Sequence, residues 1–329
     1  MKVLVIGCGS IGRRHLKNLI SLGIRDLLVF DIDERRLAEI RRDHPHVMTA
    51  SRLGALFKEK PDAAIIAVPT ALHILYATQA AKAGCHLFIE KPLSHDADGL
   101  TGLKHLARNK QLVTFLGYNF RFHPCLLELK KILAQKLIGK VVSGRTHFGS
   151  YLPDRHPGED YRRGYGAKRS MGGGVILDTL SHHVDYLSFL LGRPKAVFCY
   201  AAKHSKLAID VEDVAEILIK FTNGAVISIH GDCIQRPYKH TLEFIGETGT
   251  ARSDLFAQSL EYFNSRSKRW TKYHSKGPLD KMYADEMRCF LSCVKRGVKS
   301  PVDLNAGVWS LNVLMKIKQS AAKKCWVAL

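Results

Sequence analysis

Asp178 and His182 stand four residues apart, a spacing that sets a carboxylate and an imidazole on one face of a helix, and Asp185 continues the stripe three residues on. An imidazole titrates near neutrality and suits proton transfer, while a carboxylate beside it can orient the base or a hydroxyl group. The glycines Gly172, Gly173 and Gly174 ahead of the helix let a ligand approach the backbone. Far upstream, Glu90-Lys91-Pro92 ends a strand, and the proline biases Lys91 away from helical geometry. An ammonium there can donate to an oxygen that gains negative charge. A base and such a donor are what an alcohol needs if its carbon is to lose hydride. The same spacing also describes a first-turn carboxylate favoured by the helix dipole, a packed histidine and a solvated lysine. Three ligands on one stripe do not make a metal site, and none is read here.

A second group binds and does not react. Gly7-Cys8-Gly9-Ser10-Ile11-Gly12 follows an apolar strand and opens a helix, the context in which a G-x-G-x-x-G has meaning. Gly7 permits the tight turn, Gly9 lets backbone approach a pyrophosphate, Gly12 lets helix and strand pack, and Ser10 and Ile11 open the helix. Asp31 ends the next strand, where its carboxylate accepts from ribose hydroxyls and repels a 2′-phosphate. NAD is therefore expected over NADP, with Arg35 and Arg36 facing water. Pro69, Thr70, His73 and Glu90 border the carboxyl edge of the sheet, where such folds bind ligands. Tyr118 and Asn119 follow the last strand and either border the nicotinamide or pack a hinge.

The elements that must position these residues come in two rhythms. Up to residue 120, strands at 2–6, 26–31, 63–67, 86–89 and 112–116 alternate with helices at 11–22, 33–43, 71–83 and 96–109, which predicts a doubly wound parallel sheet. Gly23 and Gly84 fall where helix ends favour positive φ. Beyond it, a helix at 124–136, a strand at 140–149, a polar loop from Leu152 to Ser170 and the helix after Gly174 lead into strands at 196–203, 213–221, 224–232, 238–245 and 258–264. These predict an antiparallel sheet, closed by helices at 280–296 and 304–322. The expected fold is α/β, with domains 1–120 and 121–329 and the C-terminal helix packing back towards the first.

The chain of 329 residues is 46% apolar and 24% charged, a globular composition. Its apolar runs, such as Val3–Ile6 and Ala63–Val68, are of strand length, and its first residues enter a strand at once, so neither a membrane span nor a signal peptide is expected. Eight scattered cysteines without C-x-x-C pairing read as reduced packing residues of a cytoplasmic protein. The charge of +20 raises a polyanionic partner, but no helix-turn-helix, zinc module or RNP-like signature accompanies it, and nucleic acid is not expected. Residues 1–120 hold 17 basic and 11 acidic residues and the remainder 33 and 19, so the excess lies mainly beyond residue 120. There Arg155, His156, Tyr161, Arg162, Arg163, Tyr165, Lys168 and Arg169, with Gln235, Arg236 and Tyr238, mix donors and rings that suit a polyhydroxylated, also an anionic, ligand.

Taken in order, the glycine turn, Ala67-Val68-Pro69-Thr70 with His73, Glu90-Lys91-Pro92-Leu93, Tyr118-Asn119-Phe120-Arg121-Phe122 and Gly172-Gly173-Gly174 to Asp178 and His182 resemble the Gfo/Idh/MocA oxidoreductases along essentially the whole chain. The resemblance implies a Rossmann domain and an α+β domain whose large, open, mainly antiparallel sheet carries an oligomer interface, giving a homodimer or homotetramer. It implies catalytic roles for Lys91, Asp178 and His182, with His183 beside the base and Leu180 where many members have glycine. It implies hydride transfer between NAD(P) and a hydroxyl-bearing carbon of a sugar, sugar acid, cyclitol or nucleotide sugar. The alternative is a non-catalytic, dinucleotide-sensing regulator of the same fold, a kind of protein the family includes.

Overall fold

The computed structural model describes residues 1–155 and 158–329, and His156 lies outside the described residues. The chain divides into two compact units: Met1–Tyr118 with Tyr283–Trp309, and Asn119–Met282 with Ser310–Leu329. The stretch from Tyr283 to Trp309, expected in the second domain, is thus part of the first unit.

In the first unit, β1 (Val3–Ile6), α1 (Ser10–Ser21), β2 (Leu27–Phe30), α2 (Glu34–Asp43), β3 (Met48–Ala50), α3 (Leu53–Phe57), β4 (Ala63–Ile66), α4 (His73–Lys82), β5 (His86–Ile89), α5 (Leu100–Asn109) and β6 (Thr114–Leu116) follow one another. The strands form a sheet in the order β3-β2-β1-β4-β5-β6, every pair parallel. All residues of β1, β2 and β4 are buried, as expected of strands with helices on both faces. Gly23 and Gly84 take positive φ where helices end. The helix expected from 96 starts at Leu100. Asp96 and Ser94 spend their side chains on local backbone, and Gly99 enters the helix at φ +73°.

The second unit begins with α6 (Pro124–Ala134) and β7 (Val141–Gly149) and passes through short 3₁₀ turns to α7 (Leu180–Leu191). It continues with β8 (Pro194–Ala202), β9 (Val214–Phe221), β10 (Val226–Asp232), β11 (Lys239–Gly246), β12 (Gly249–Asp254), β13 (Ser259–Asn264) and β14 (Arg269–His274). The helices α8 (Lys281–Arg296) and α9 (Leu304–Lys323) each cross a unit boundary, and β15 (Val327–Ala328) ends the chain. Among the described residues, nine strands form a sheet ordered β14-β13-β12-β11-β7-β10-β9-β8-β15. Its pairs are antiparallel except β7 with β10. In β9, Ala215, Ile217, Ile219 and Phe221 are buried while Glu216, Leu218 and Lys220 are exposed, so helices cover only one face. No helix among the described residues is long and apolar enough to cross a membrane.

Candidate active site

The turn after β1 is made by sterics. Gly7 has φ +94°, and a Cβ there would lie 2.5 Å from the carbonyl oxygen of Ala67; one on Gly12 would overlap that of Gly7. A Cβ on Gly9 would meet only Arg36 Nη1, at 3.7 Å. The start of α1 carries no side-chain cap and no acid in its first turn, so its N–H groups and dipole favour an anion. Asp31, just after β2, is buried; its Oδ2 accepts from Cys8 N (2.8 Å) and its Oδ1 from Asp33 N (2.9 Å). Burial, then the Asp31 charge and hydrogen bond, push the Cys8 thiol up to about 12. Arg35 pairs with Asp33 and is exposed, as expected, whereas Arg36 comes to 3.8 Å of Asp31 Oδ2 and does not simply face water. N–H groups for a pyrophosphate and a carboxylate for ribose hydroxyls fit the dinucleotide.

Beneath Lys91 lies a buried acid pair that the sequence did not reveal. Glu90 Oε1 lies 2.6 Å from His15 Nε2, and its Oε2 accepts from Lys91 N (3.1 Å). Glu286, from α8, completes a cluster whose donor atoms all lie within 4.8 Å. Burial opposes the Glu90 charge, but the His15 hydrogen bond and the His15 and Lys91 charges outweigh it, so its carboxyl stays below the ordinary range. Burial, then the Glu90 charge, drives Glu286 well upward, toward the protonated form. His73 is buried, with Nδ1 2.8 Å from Pro92 O and Nε2 2.9 Å from Val68 O, so it braces the Val68-Pro69-Thr70 turn against the Lys91-Pro92 turn. Thr70 and Tyr118 are buried in this unit, and Asn119, also buried, begins the other.

In the second unit the expected stripe of Asp178, His182 and Asp185 is not one α-helical face. Residues Val175–Thr179 form a π turn, whose wider i→i+5 hydrogen bonding shifts the phase before α7 begins at Leu180. The space over Gly173 and Gly174 is filled by the unit itself: a Cβ on Gly173 would lie 2.5 Å from Tyr165 O, and one on Gly174 would overlap the Glu212 carboxylate. Glu212 also accepts from Ile176 N (3.1 Å). The glycines therefore admit the unit's own backbone and Glu212 where ligand approach was expected. Asp178 accepts from Tyr165 Oη (2.5 Å) and Arg155 Nη1 (3.0 Å). Asp185 turns to Arg121, which donates through Nη2 (2.6 Å) and Nε (2.8 Å) in a bidentate pair that leaves Asp185 fully buried.

The two adjacent histidines differ. His183 is fully buried, its Nδ1 3.0 Å from Thr146 Oγ1 and 2.7 Å from Tyr186 Oη, and burial followed by the neighbouring His240 and His147 holds it far below its usual range. His182 is half-buried, its ring edge-on to Phe120 at 4.9 Å. Of the described basic and aromatic residues expected near substrate, Arg155 and Tyr165 converge on Asp178, whereas several others turn to partners elsewhere. Arg162 pairs with Asp160, Tyr161 Oη accepts from Ala208 N, Arg236 forks onto Asp154, and Gln235 accepts from His147. The pairing of Arg121 with Asp185 and the place of Glu212 leave no local signal in the sequence, because their partners lie far along the chain.

The Gfo/Idh/MocA oxidoreductase model for the NAD-binding Rossmann fold matches residues 1–118, and the Gfo/Idh/MocA C-terminal domain model matches residues 126–252. Myo-inositol 2-dehydrogenase of Thermotoga maritima is 26% identical across 100% of this chain and 98% of its own. UDP-N-acetylglucosamine 3-dehydrogenase of Acidithiobacillus ferrooxidans is 26% identical across 80% of this chain and 77% of its own. A levoglucosan dehydrogenase in complex with NADH and levoglucosan has the same fold, with a TM-score of 0.90 at 20% identity over 100% of this chain and 99% of that one. So has the WlbA dehydrogenase of Bordetella pertussis in complex with NADH and UDP-GlcNAcA, with a TM-score of 0.84 at 22% identity over 100% and 98%. With both halves of the family pattern matched in order, the chain belongs to the Gfo/Idh/MocA family of NAD-binding oxidoreductases.

Proposed function

We propose that the protein transfers hydride between NAD and a secondary alcohol carbon of a sugar, cyclitol, sugar acid or nucleotide sugar, with Lys91, Asp178 and His182 acting on that alcohol. NAD, held by Gly7, Gly9, Ser10, Ile11, Gly12 and Asp31, supplies the hydride acceptor. His182 takes the hydroxyl proton, Lys91 donates a hydrogen bond to the oxygen as its negative charge grows, and Asp178 orients the hydroxyl. The burial contrast between two neighbouring histidines carries this reading: His183 is fully buried in the core, while His182, one residue away, is only half-buried. Arg155 and Tyr165 hold Asp178 in place and give the second domain a donor for an anionic substituent. Work in the cytoplasm suits the free cysteines, and the open face of the large sheet suits a homodimer or homotetramer.

The test is nicotinamide absorbance with inositols, anhydrosugars, sugar acids and UDP-sugars, beside NAD and NADP binding by thermal shift. Turnover with NAD and one of these classes is expected. His182→Ala should lose about 10²–10⁴-fold in turnover while still binding NAD. Full turnover in that variant removes His182 from the mechanism, and failure to turn over any of these classes removes the substrate reading.

A further inference from the structure

The uncovered face of the large sheet gathers a donor set that the oxidoreductase chemistry does not use. His147 on β7 and His230 on β10 are partners in the parallel register, with ring centroids 4.5 Å apart. Asp232, two residues along β10 and hence on the same face, places Oδ2 3.0 Å from His230 Nε2. Its Oδ1 accepts from Ile234 N (2.8 Å) and Gln235 N (2.6 Å), which fixes the carboxylate. One donor atom from each of His147, His230 and Asp232 lies within 4.8 Å of the other two. Glu216, opposite His230 on β9, has Oε1 2.5 Å from His230 Nδ1, and Gln235 Oε1 lies 2.6 Å from His147 Nε2.

We propose that His147, His230 and Asp232 form a binding site for a divalent transition metal of the zinc class. Two imidazoles and a carboxylate are a donor set that zinc takes, with bonds of about 2.0–2.2 Å. Ligands on one such ion stand about 3–3.5 Å apart, from the same bond lengths. His230 Nε2 and Asp232 Oδ2 already have that separation, and His147 needs only a side-chain adjustment from a fixed strand position. Glu216 on the far nitrogen of His230 supplies the carboxylate–imidazole–metal relation that orients a ligating ring. The two carboxylates, Asp232 and Glu216, balance the charge of a divalent ion. The ion takes the place of the proton between His230 and Asp232, which goes to solvent. Bound there, it ties β7 to β10, the one parallel pair in this sheet, and through Glu216 to β9.

The experiment uses the full chain, stripped with EDTA and dialysed, in a Cys325→Ser background because Cys325 is the exposed thiol. Zinc chloride alone is titrated by calorimetry, and melting is followed with and without it. One zinc per chain, in the micromolar range or tighter, and a higher melting temperature with zinc are expected. His147→Gln and His230→Gln should each weaken binding by about tenfold or more and abolish the zinc-dependent rise in melting, with the NAD-induced shift kept as a check on folding. If His230→Gln fails to fold, His147→Gln decides alone. Absence of saturable binding, or binding that His147→Gln leaves unchanged, overturns the site and leaves an ordinary ionic network.

Discussion

Every residue of β1, β2 and β4 is buried, whereas β9 alternates buried Ala215, Ile217 and Ile219 with exposed Glu216, Leu218 and Lys220. A sheet covered on both faces has no strand position left for chemistry, so the first unit works at the strand ends, where Gly7, Asp31 and Lys91 leave β1, β2 and β5. Backbone sets the geometry there: a methyl group on Gly12 would overlap the Gly7 carbonyl. The second unit places its groups through side chains instead. Asp178 is held by Arg155 and Tyr165, Asp185 by Arg121, and His183 by Thr146 and Tyr186. The first unit should therefore be fragile to added atoms, and the second to lost partners and changed protonation.

Arg121→Ala tests the second half of that contrast most severely. It leaves the Asp185 carboxylate fully buried with its bidentate partner gone, and a loss of about 3–5 kcal/mol is expected in urea unfolding. A loss below about 1 kcal/mol would show that packing and not the ion pair fixes this region. Acid should act next. His183 and His240 stack at 4.9 Å in the same core, and burial, with His123 adding repulsion, holds His240 down at about 3. Unfolded histidine titrates near 6.5, so between about pH 6.5 and 3 the unfolded chain binds more protons. Stability is then fully present above about pH 6.5 and falls as pH is lowered, by about 2 kcal/mol from His240 between about pH 6.5 and 5, with His183 adding in the same direction. The measurement is urea unfolding at about pH 7 and about pH 5, in which His240→Gln should flatten the dependence. An equal slope in the variant would move the acid sensitivity elsewhere.

The same contrast governs what could be read in advance. The first unit was legible because strand runs, glycines and capping positions are local signals. What lacks such a signal is β3, with Met48, Thr49 and Ala50, a three-residue edge strand without a buried run, and the short α3 that follows it. In the second unit the strands without such a signal are β12, β14 and the two-residue β15. β14, Arg-Trp-Thr-Lys-Tyr-His, is mostly exposed and owes its strand to pairing with β13. At the site, motif order pointed to Lys91, Asp178 and His182, and composition pointed to Arg155 and Tyr165 beside residues that the fold sends elsewhere, Gln235 among them. The Arg121–Asp185 and His147–His230 pairings had no local signal, because each is made by tertiary packing or strand register.

For the first unit, Asp31→Ala removes a carboxylate that ties the glycine turn through Cys8 and, on the proposed reading, accepts from the ribose. NAD affinity should fall by about tenfold, the scale of one hydrogen bond to a charged group, while NADP affinity rises as the repulsion of a 2′-phosphate disappears. Parallel titrations with both dinucleotides decide it. An unchanged NAD-to-NADP ratio would mean that Arg36, 3.8 Å from Asp31, sets the preference instead.

The smallest effect is expected where the first unit appears most like the second. Glu286 is buried beside Glu90 and His15, an arrangement that would be costly if both carboxylates were ionised. Burial and the Glu90 charge keep the proton on Glu286, whereas the His15 hydrogen bond keeps Glu90 ionised. Glu286→Gln therefore exchanges one neutral planar group for another of the same shape, and stability should change by less than about 1 kcal/mol. Glu90→Gln takes the charge from the partner of His15 and should cost clearly more, with Lys91, whose N–H bonds Glu90, disturbed as well. Equal losses from the two substitutions would mean that the pair shares its proton. A larger loss from Glu286→Gln would mean that Glu286 is the ionised member, and the positional logic of the first unit would then rest on charge as much as on backbone.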